Sequence, residues 1–400
     1  MIEVSRRRLR CALVLQISVL MLTLFQPSFV RPVYAWWDLG HTIITSNAIR
    51  LMPDRWRSFL SYYEAILNET SIYPDRIYKH LDAQEDYRHF IDLEIWDPGR
   101  PETGTLPHET GKFAEDAVQA LRASDWNKAL YLFGRVSHYL ADLHQPYHAT
   151  KDYNPRAKGG TPLHPVLDES LQVHFSEFRV VERGDLANIE PIHNITLFCF
   201  QVARQSYSFL ERINRTLIDE EKTWSNELTR IVENRTNCAI VAVARVWYSI
   251  ILRSEMSAPG IDEPNDLSIK LAETPQELSP DKEATIQLVV ADRLGIRTPA
   301  TVQAAINNQP LPTYGFPYVP EPLGRYGMTL PKEMLAELKG RYVNLAITAE
   351  KPGFQPTRIN LSIKVKGISL QMVQALIAIL VATAGTGVTA VVYLRRRRVR

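Results

Sequence analysis

Eleven residues near the middle of the chain, His138-Tyr-Leu-Ala-Asp142-Leu-His-Gln-Pro-Tyr-His148, bring three potential metal ligands close together. His138 and Asp142 are four apart, so on a helix they project from one face. Pro146 stops that helix and leaves His148 on the following loop, able to turn toward a second ion. Imidazole and carboxylate at this spacing suit a divalent transition metal, zinc above all. A chance helical pattern would need no further ligands, yet this chain offers more of them.

The two ends carry most of the excess positive charge, and each has its own explanation. Arg6, Arg7, Arg8 and Arg10 precede an apolar stretch from Cys11 to Phe25, and Val33-Tyr34-Ala35 supplies small residues where a signal peptidase reads. Cleavage after Ala35 would make Trp36 the new N-terminus. At the other end Ile368 to Leu394 is apolar and uncharged, long enough to cross hydrocarbon with some tilt. Arg395, Arg396, Arg397, Arg398 and Arg400 follow at once, which predicts a cytoplasmic C-terminus and an outer main body. Away from the ends the charges are mixed and the formal net charge is only +2, so no global field favours nucleic acid. Cys199 and Cys238 remain after Cys11 leaves with the signal; one disulfide or two free thiols both fit. Asn68, Asn194, Asn214, Asn234 and Asn360 each begin an Asn-x-Ser/Thr sequon.

From Trp36 to about Pro259 the periodicity is helical. Gly111 to Ser124, Trp126 to Leu143, Ile195 to Ile213 and Lys222 to Ser254 carry apolar residues at helical spacing. Breakers at Asp97-Pro-Gly-Arg-Pro101 and Lys158-Gly-Gly-Thr-Pro162 mark loops. After a Pro- and Gly-containing linker at 257–264 the period becomes two. Leu267 to Leu271, Thr285 to Val290, Tyr342 to Thr348 and Ile359 to Val365 alternate apolar and polar, the pattern of a small immunoglobulin-like β-sandwich. The expected organisation is therefore a signal peptide at 1–35, an all-α domain at 36–258, an all-β module at 259–366, a transmembrane helix at 367–394 and a basic tail at 395–400. The β module carries no cluster of His, Asp or Cys and reads as a spacer or adhesion element.

Nine candidate ligands can be assembled: the Trp36 amine and carbonyl, His41, Asp75, His89, His138, Asp142, His148, His164 and Asp168. His164 and Asp168 repeat the four-residue spacing of His138 and Asp142. His174 and Glu177 form a rival pair downstream. Taken together, Trp36 with Gly40-His41, Asp75, His89-Phe90, the 138–148 string and His164 with Asp168 resemble the superfamily of zinc-dependent phospholipases C and single-strand-specific zinc nucleases. The resemblance covers roughly Trp36 to Leu252 and implies an all-helical enzyme with three Zn2+ ions in a cleft. It implies one ion held by Asp75, His89, His138 and Asp142. A second would be held by the Trp36 amine and carbonyl, His41 and the bridging Asp142, and a third by His148, His164 and Asp168.

The expected chemistry is hydrolysis of a phosphodiester. Zinc ions sharing Asp142 would lower the pKa of a water from roughly 16 toward ~7 and neutralise the non-bridging oxygens, and Asp75 would orient that water or take its proton. A phospholipid headgroup is favoured as substrate by the expected membrane anchor. A single-stranded nucleic acid is the alternative, with Tyr73, Tyr78, Tyr147 and Tyr153 as possible stacking surfaces. An inactive surface receptor or adhesin would show broken ligands, and a zinc-stabilised structural domain would show closed four-ligand sites. His80, His108, His144 and His193 are read as ordinary histidines, His144 as a possible orienting partner. Arg76 and Lys79 are read as a solvated face.

Overall fold

A computed structural model describes residues 37–156, 160–185, 188–219, 225–260, 265–273, 275–306, 309–311, 313–315 and 324–367. The expected signal peptide, Trp36, the membrane span from Ile368 onward and the basic tail lie outside the described residues.

The N-terminal domain is helical. Its main elements are α1 (Trp37–Leu51), α2 (Asp54–Tyr62), α3 (Glu64–Tyr73), α4 (Leu106–Arg122), α5 (Trp126–His144), α6 (Leu163–His174), α7 (Ile195–Tyr207), α8 (Leu210–Asn214) and α9 (Asn226–Ser254). The α5 helix is the axis of the fold. Asp125 caps its start by accepting from the Lys128 N–H at 3.0 Å. Its end comes at His144, because Pro146 follows. From Val136 through Thr150 every residue is buried, which is why the ligand string stands inside the protein and not on its surface. Close approach of α3 to α5 depends on Gly134: a Cβ there would lie 2.0 Å from Thr70 Oγ1 and 2.9 Å from the Leu67 carbonyl.

The expected helices are present with shifted ends. The α4 helix begins at Leu106 rather than Gly111, because Pro107 is tolerated in a first turn. The single helix expected over Ile195 to Ile213 is two, broken at Ser208-Phe209, where Ser208 Oγ bonds its own helix's Gln205 carbonyl at 2.6 Å. The α9 helix is long and apolar enough to cross a membrane, but it is a core helix: Val243, Trp247 and Ile250 are fully buried and Arg235 lies in its middle.

The C-terminal domain is β-rich. A five-stranded sheet has the order β3-β11-β9-β5-β6 and a four-stranded sheet the order β2-β4-β8-β7; β1 (Asn265–Asp266) pairs with β10 (Phe354–Gln355). The strands of the larger sheet are β3 (Glu277–Leu278), β5 (Thr301–Ile306), β6 (Gln309–Leu311), β9 (Tyr342–Glu350) and β11 (Thr357–Val365). Those of the smaller are β2 (Ser268–Leu271), β4 (Ala284–Ala291), β7 (Thr313–Gly315) and β8 (Arg325–Leu330). Alternate residues from both sheets share one apolar core, with Ile286, Leu288 and Met328 from one and Val343, Leu345 and Ile347 from the other. The connection after β4 meets the helical domain. Ile296 joins the helical core, Tyr63 Oη donates to Asp292 Oδ2 at 2.6 Å, and the Arg297 N–H donates to Asn127 Oδ1 at 3.0 Å.

Candidate metal centre

Eight of the nine candidate ligands lie among the described residues, and all eight are buried. They arrive from separate elements. His41 comes from α1, and Asp75 from a π-helical turn at Pro74–Tyr78 that continues α3. His89 ends a 3-10 turn at Asp86–His89, and His138 with Asp142 come from α5. His148 sits in the 3-10 turn Pro146–Ala149, and His164 with Asp168 project from α6.

Two overlapping triads, which share His138, converge closely enough to hold an ion. The donor atoms of His41, His138 and Asp142 lie within 4.8 Å of one another, as do those of Asp75, His89 and His138. Asp142 joins them: its Oδ2 is 2.9 Å from His89 Nδ1 and 3.3 Å from His138 Nε2, and its Oδ1 is 3.6 Å from His41 Nε2. A second cluster stands beside it. His148 Nε2 faces His164 Nε2 at 3.0 Å, and Asp168 Oδ2 is 3.4 Å from His164 Nε2. Gln145 Nε2 donates to Asp168 Oδ1 at 2.8 Å and so turns the other oxygen toward the histidines. The rival pair does not converge. His174 and Glu177 bond each other at 2.7 Å, and Glu177 is exposed.

Hydrogen bonds fix the tautomers. His138 Nδ1 donates to the Ser71 carbonyl at 2.7 Å, His148 Nδ1 to the His89 carbonyl, and His164 Nδ1 to the Tyr153 carbonyl at 2.9 Å. A neutral ring that donates from Nδ1 carries its lone pair on Nε2. Burial holds all three below the ordinary imidazole pKa, and it holds His164 and His89 well below it. Neutral imidazole is the metal-binding form. The facing Nε2 atoms of His148 and His164 are then two lone pairs directed at each other, an arrangement a cation relieves.

The carboxylates agree. Burial raises the Asp142 carboxyl to about 7, and the nearby His148 and His41 only partly offset it. Asp142 Oδ1 is buried with no hydrogen-bond partner among the described residues. Buried oxygen of that kind is costly unless a cation or donor meets it. Burial also pushes Asp75 up, but Lys79, His138 and His41 more than compensate and its pKa lies below the usual carboxylate value. The donor set of buried neutral imidazoles and carboxylates therefore fits zinc.

One residue departs from its sequence reading, and the structure decides others that were left open. Lys79 is not on a solvated face: its Nζ lies 2.6 Å from Asp75 Oδ1 and its side chain is 19% exposed. Arg76 keeps its solvated place, its side chain 55% exposed, and pairs there with Asp38 at the start of α1. His144 donates to its own helix at Leu140 and bonds no candidate ligand among the described residues. Cys199 and Cys238 are free thiols. Tyr73, Tyr78 and Tyr147 are buried, and of the four tyrosines considered as stacking surfaces only Tyr153 is exposed. Gln145 and Glu85 were not visible as site residues. Glu85 is four residues before His89, the same spacing that flagged Asp142, but it lies in a polar stretch without helical periodicity.

Residues 40–226 match the model of the family described as zinc dependent phospholipase C. The match lies within the helical domain and makes that part of the chain similar to the family. Solved structures add a likeness at low identity. Alpha toxin from Clostridium absonum shares 15% identity with a TM-score of 0.42, covering 82% of this chain and 96% of that one. Alpha-toxin from an avian strain of Clostridium perfringens shares 12% identity with a TM-score of 0.40, covering 81% and 91%. No curated protein sequence matches the chain. That match supports a zinc-dependent, phospholipase C-like hydrolase, and the buried His and Asp groups that could hold a metal agree with it.

Proposed function

We propose that the chain hydrolyses the phosphodiester of a phospholipid headgroup with three zinc ions in this centre. Asp75, His89, His138 and Asp142 would hold one, the Trp36 amine and carbonyl with His41 and Asp142 a second, and His148, His164 and Asp168 the third. The observation that carries the reading is the facing pair of neutral nitrogens on His148 and His164 beside the Asp142 cluster, within a zinc dependent family match. When bound, zinc supplies a Lewis acid for phosphoryl oxygens and acidifies water.

The chain's own groups provide the rest. Asp75, held ionised by Lys79, is placed to accept the proton of an attacking water. Lys79 stays protonated, because the Asp75 carboxylate outweighs the effect of burial, and it offers positive charge to an anionic diester. Water adds across the phosphorus–oxygen bond: its oxygen goes to phosphorus and a proton goes to the departing alcohol oxygen.

Two features support a lipid over a nucleic acid. Three of the four candidate stacking tyrosines are buried. A cavity of about 470 Å3, which Thr150 joins to the His148 turn, is lined by Glu94, Asp152 and Glu211 with Tyr207 and Asn214. Those carboxylates repel a polyanionic strand and favour a cationic headgroup. Two further readings belong to the proposal: that the β domain is an immunoglobulin-like sandwich, supported by two sheets sharing one core, and that the enzyme stands outside the cell on the Ile368–Leu394 span, supported by the sequence pattern alone.

The test is metal analysis of the purified chain with parallel assays on phosphatidylcholine vesicles and single-stranded DNA. Zinc with release of phosphorylated headgroup is expected. A zinc-loaded chain that cleaves only DNA replaces the substrate, and a chain without metal or turnover ends the proposal.

A further inference from the structure

Four histidines of the centre can be sorted by what stands behind them. His138, His148 and His164 each give Nδ1–H to a main-chain carbonyl and turn Nε2 inward. His89 is reversed. Its Nδ1 lies 2.9 Å from Asp142 Oδ2, 3.1 Å from His138 Nε2 and 3.6 Å from Asp75 Oδ1. Its Nε2 is buried, has no hydrogen-bond partner among the described residues, and lies 3.7 Å from Glu85 Oε1.

We propose that Glu85 is the positioning residue for His89, holding its proton on Nε2 so that Nδ1 presents a lone pair to the cation. The inference rests on the metal reading above. Glu85 is fully buried, and its carboxylate is fixed from three sides. Oε2 accepts from Arg88 Nη1 at 2.6 Å and from Arg135 Nη2 at 2.8 Å, while Oε1 accepts from the Tyr139 hydroxyl. Arg135 is in turn clamped between rings, its guanidinium carbon 4.0 Å from the Phe113 centroid and 4.7 Å from that of Tyr78. A carboxylate so held cannot follow the imidazole; the imidazole must follow it. A negative group behind a ligand histidine fixes its tautomer and makes its other nitrogen a stronger donor. Only His89 of the four has a charged group in that place.

A purely structural reading exists, in which Glu85 merely balances Arg88 and Arg135. Two measurements on the full chain separate them. In the zinc-loaded protein, nitrogen-15 imidazole spectra are expected to show Nε2–H at His89 and Nδ1–H at His138, His148 and His164; Nδ1–H at His89 overturns the inference. Chelator competition then compares the wild type with Glu85→Gln, with circular dichroism and the metal-free unfolding midpoint as fold checks. One zinc ion is expected to bind about 10- to 100-fold more weakly while the others keep their affinity. A folded variant that binds every ion within about twofold of wild type overturns the inference and leaves the metal reading intact. If the variant does not fold, the His89 tautomer decides. A wild type that binds no zinc overturns both.

Discussion

The two domains bury different things. The helical core encloses His41, Asp75, Glu85, His89, His138, Asp142, His148, His164, Asp168 and Arg235. Among the described residues of the β domain, Asp292 and Thr298 are the only polar residues buried as a whole, and both lie in the connection that meets the helical domain. The rest of the β core is alternating aliphatic residues from two sheets. Burying ionisable groups costs stability unless each is paired or meets a cation. The β domain avoids that cost. The helical domain accepts it in one place, around α5, and the residues that bear the cost are those whose chemistry a metal would use. Stability and function are thus separable in one domain and entangled in the other.

The largest effect expected on that contrast comes from Asp142→Asn. It removes the carboxylate shared by the His41, His89 and His138 contacts. Zinc affinity should fall by more than the roughly hundred-fold upper end seen for outer-sphere changes, measured by chelator competition. The metal-free protein should unfold at a higher temperature at pH 8, because burial penalises this charge and the variant no longer carries it. A lower midpoint would show that Asp142 holds the fold together even without metal, and the entanglement would be of another kind. Ile347→Ala is the mirror experiment. Ile347 is fully buried in the β core, so truncation should cost about 2–5 kcal/mol of stability in denaturant titrations. Zinc stoichiometry should not change. Loss of zinc would mean that the β core supports the metal centre.

Gly134→Val probes the entangled domain from its packing side. The added side chain meets Thr70 and the Leu67 carbonyl, so α3 must move away from α5, at about 1–3 kcal/mol. Because α3 also supplies the Ser71 carbonyl that holds His138, zinc affinity should weaken along with stability. Unchanged zinc binding in a destabilised variant would uncouple the two.

How much of this was legible in the sequence follows the same division. Helical period located α5, and four-residue spacing singled out His138 with Asp142 and His164 with Asp168, because both signals are local; the α6 helix under the second pair was not read from the period. Four of the strands were legible by alternation, but Thr301–Ile306 and Arg325–Leu330 were not: an Ala pair and a Gly blur the period. Glu85, Lys79 and Gln145 escaped because their roles depend on which residues the fold sets beside them. Lys79 looks like any surface lysine until the π-helical turn brings it onto Asp75. The pair of half-buried His174 and exposed Glu177 has ligand-like spacing and does not converge with the other ligand candidates, which only the fold could reveal.

The smallest effect, at the junction, sharpens the comparison most. Tyr63 follows α2, is buried, and gives its hydroxyl proton to Asp292 Oδ2 at 2.6 Å, while Asp292 Oδ1 accepts the Leu294 and Ile296 N–H groups at 2.9 and 3.0 Å. Burial and then the Asp292 contact raise the Tyr63 pKa far above its ordinary value, so the hydroxyl remains a donor across the accessible pH range. Tyr63→Phe removes one hydrogen bond to a carboxylate and leaves the ring packing in place, a loss of about 1.5 kcal/mol. If each domain carries its own core, this small change should separate a shared thermal transition into two, with zinc raising only the helical one. A single transition that shifts as a whole would instead mean that Ile296 and the surrounding aromatic residues couple the cores without that bond. Zinc affinity should be unchanged in either case, because the junction lies at Tyr63 and Asn127 while the ligands come from the opposite half of α5.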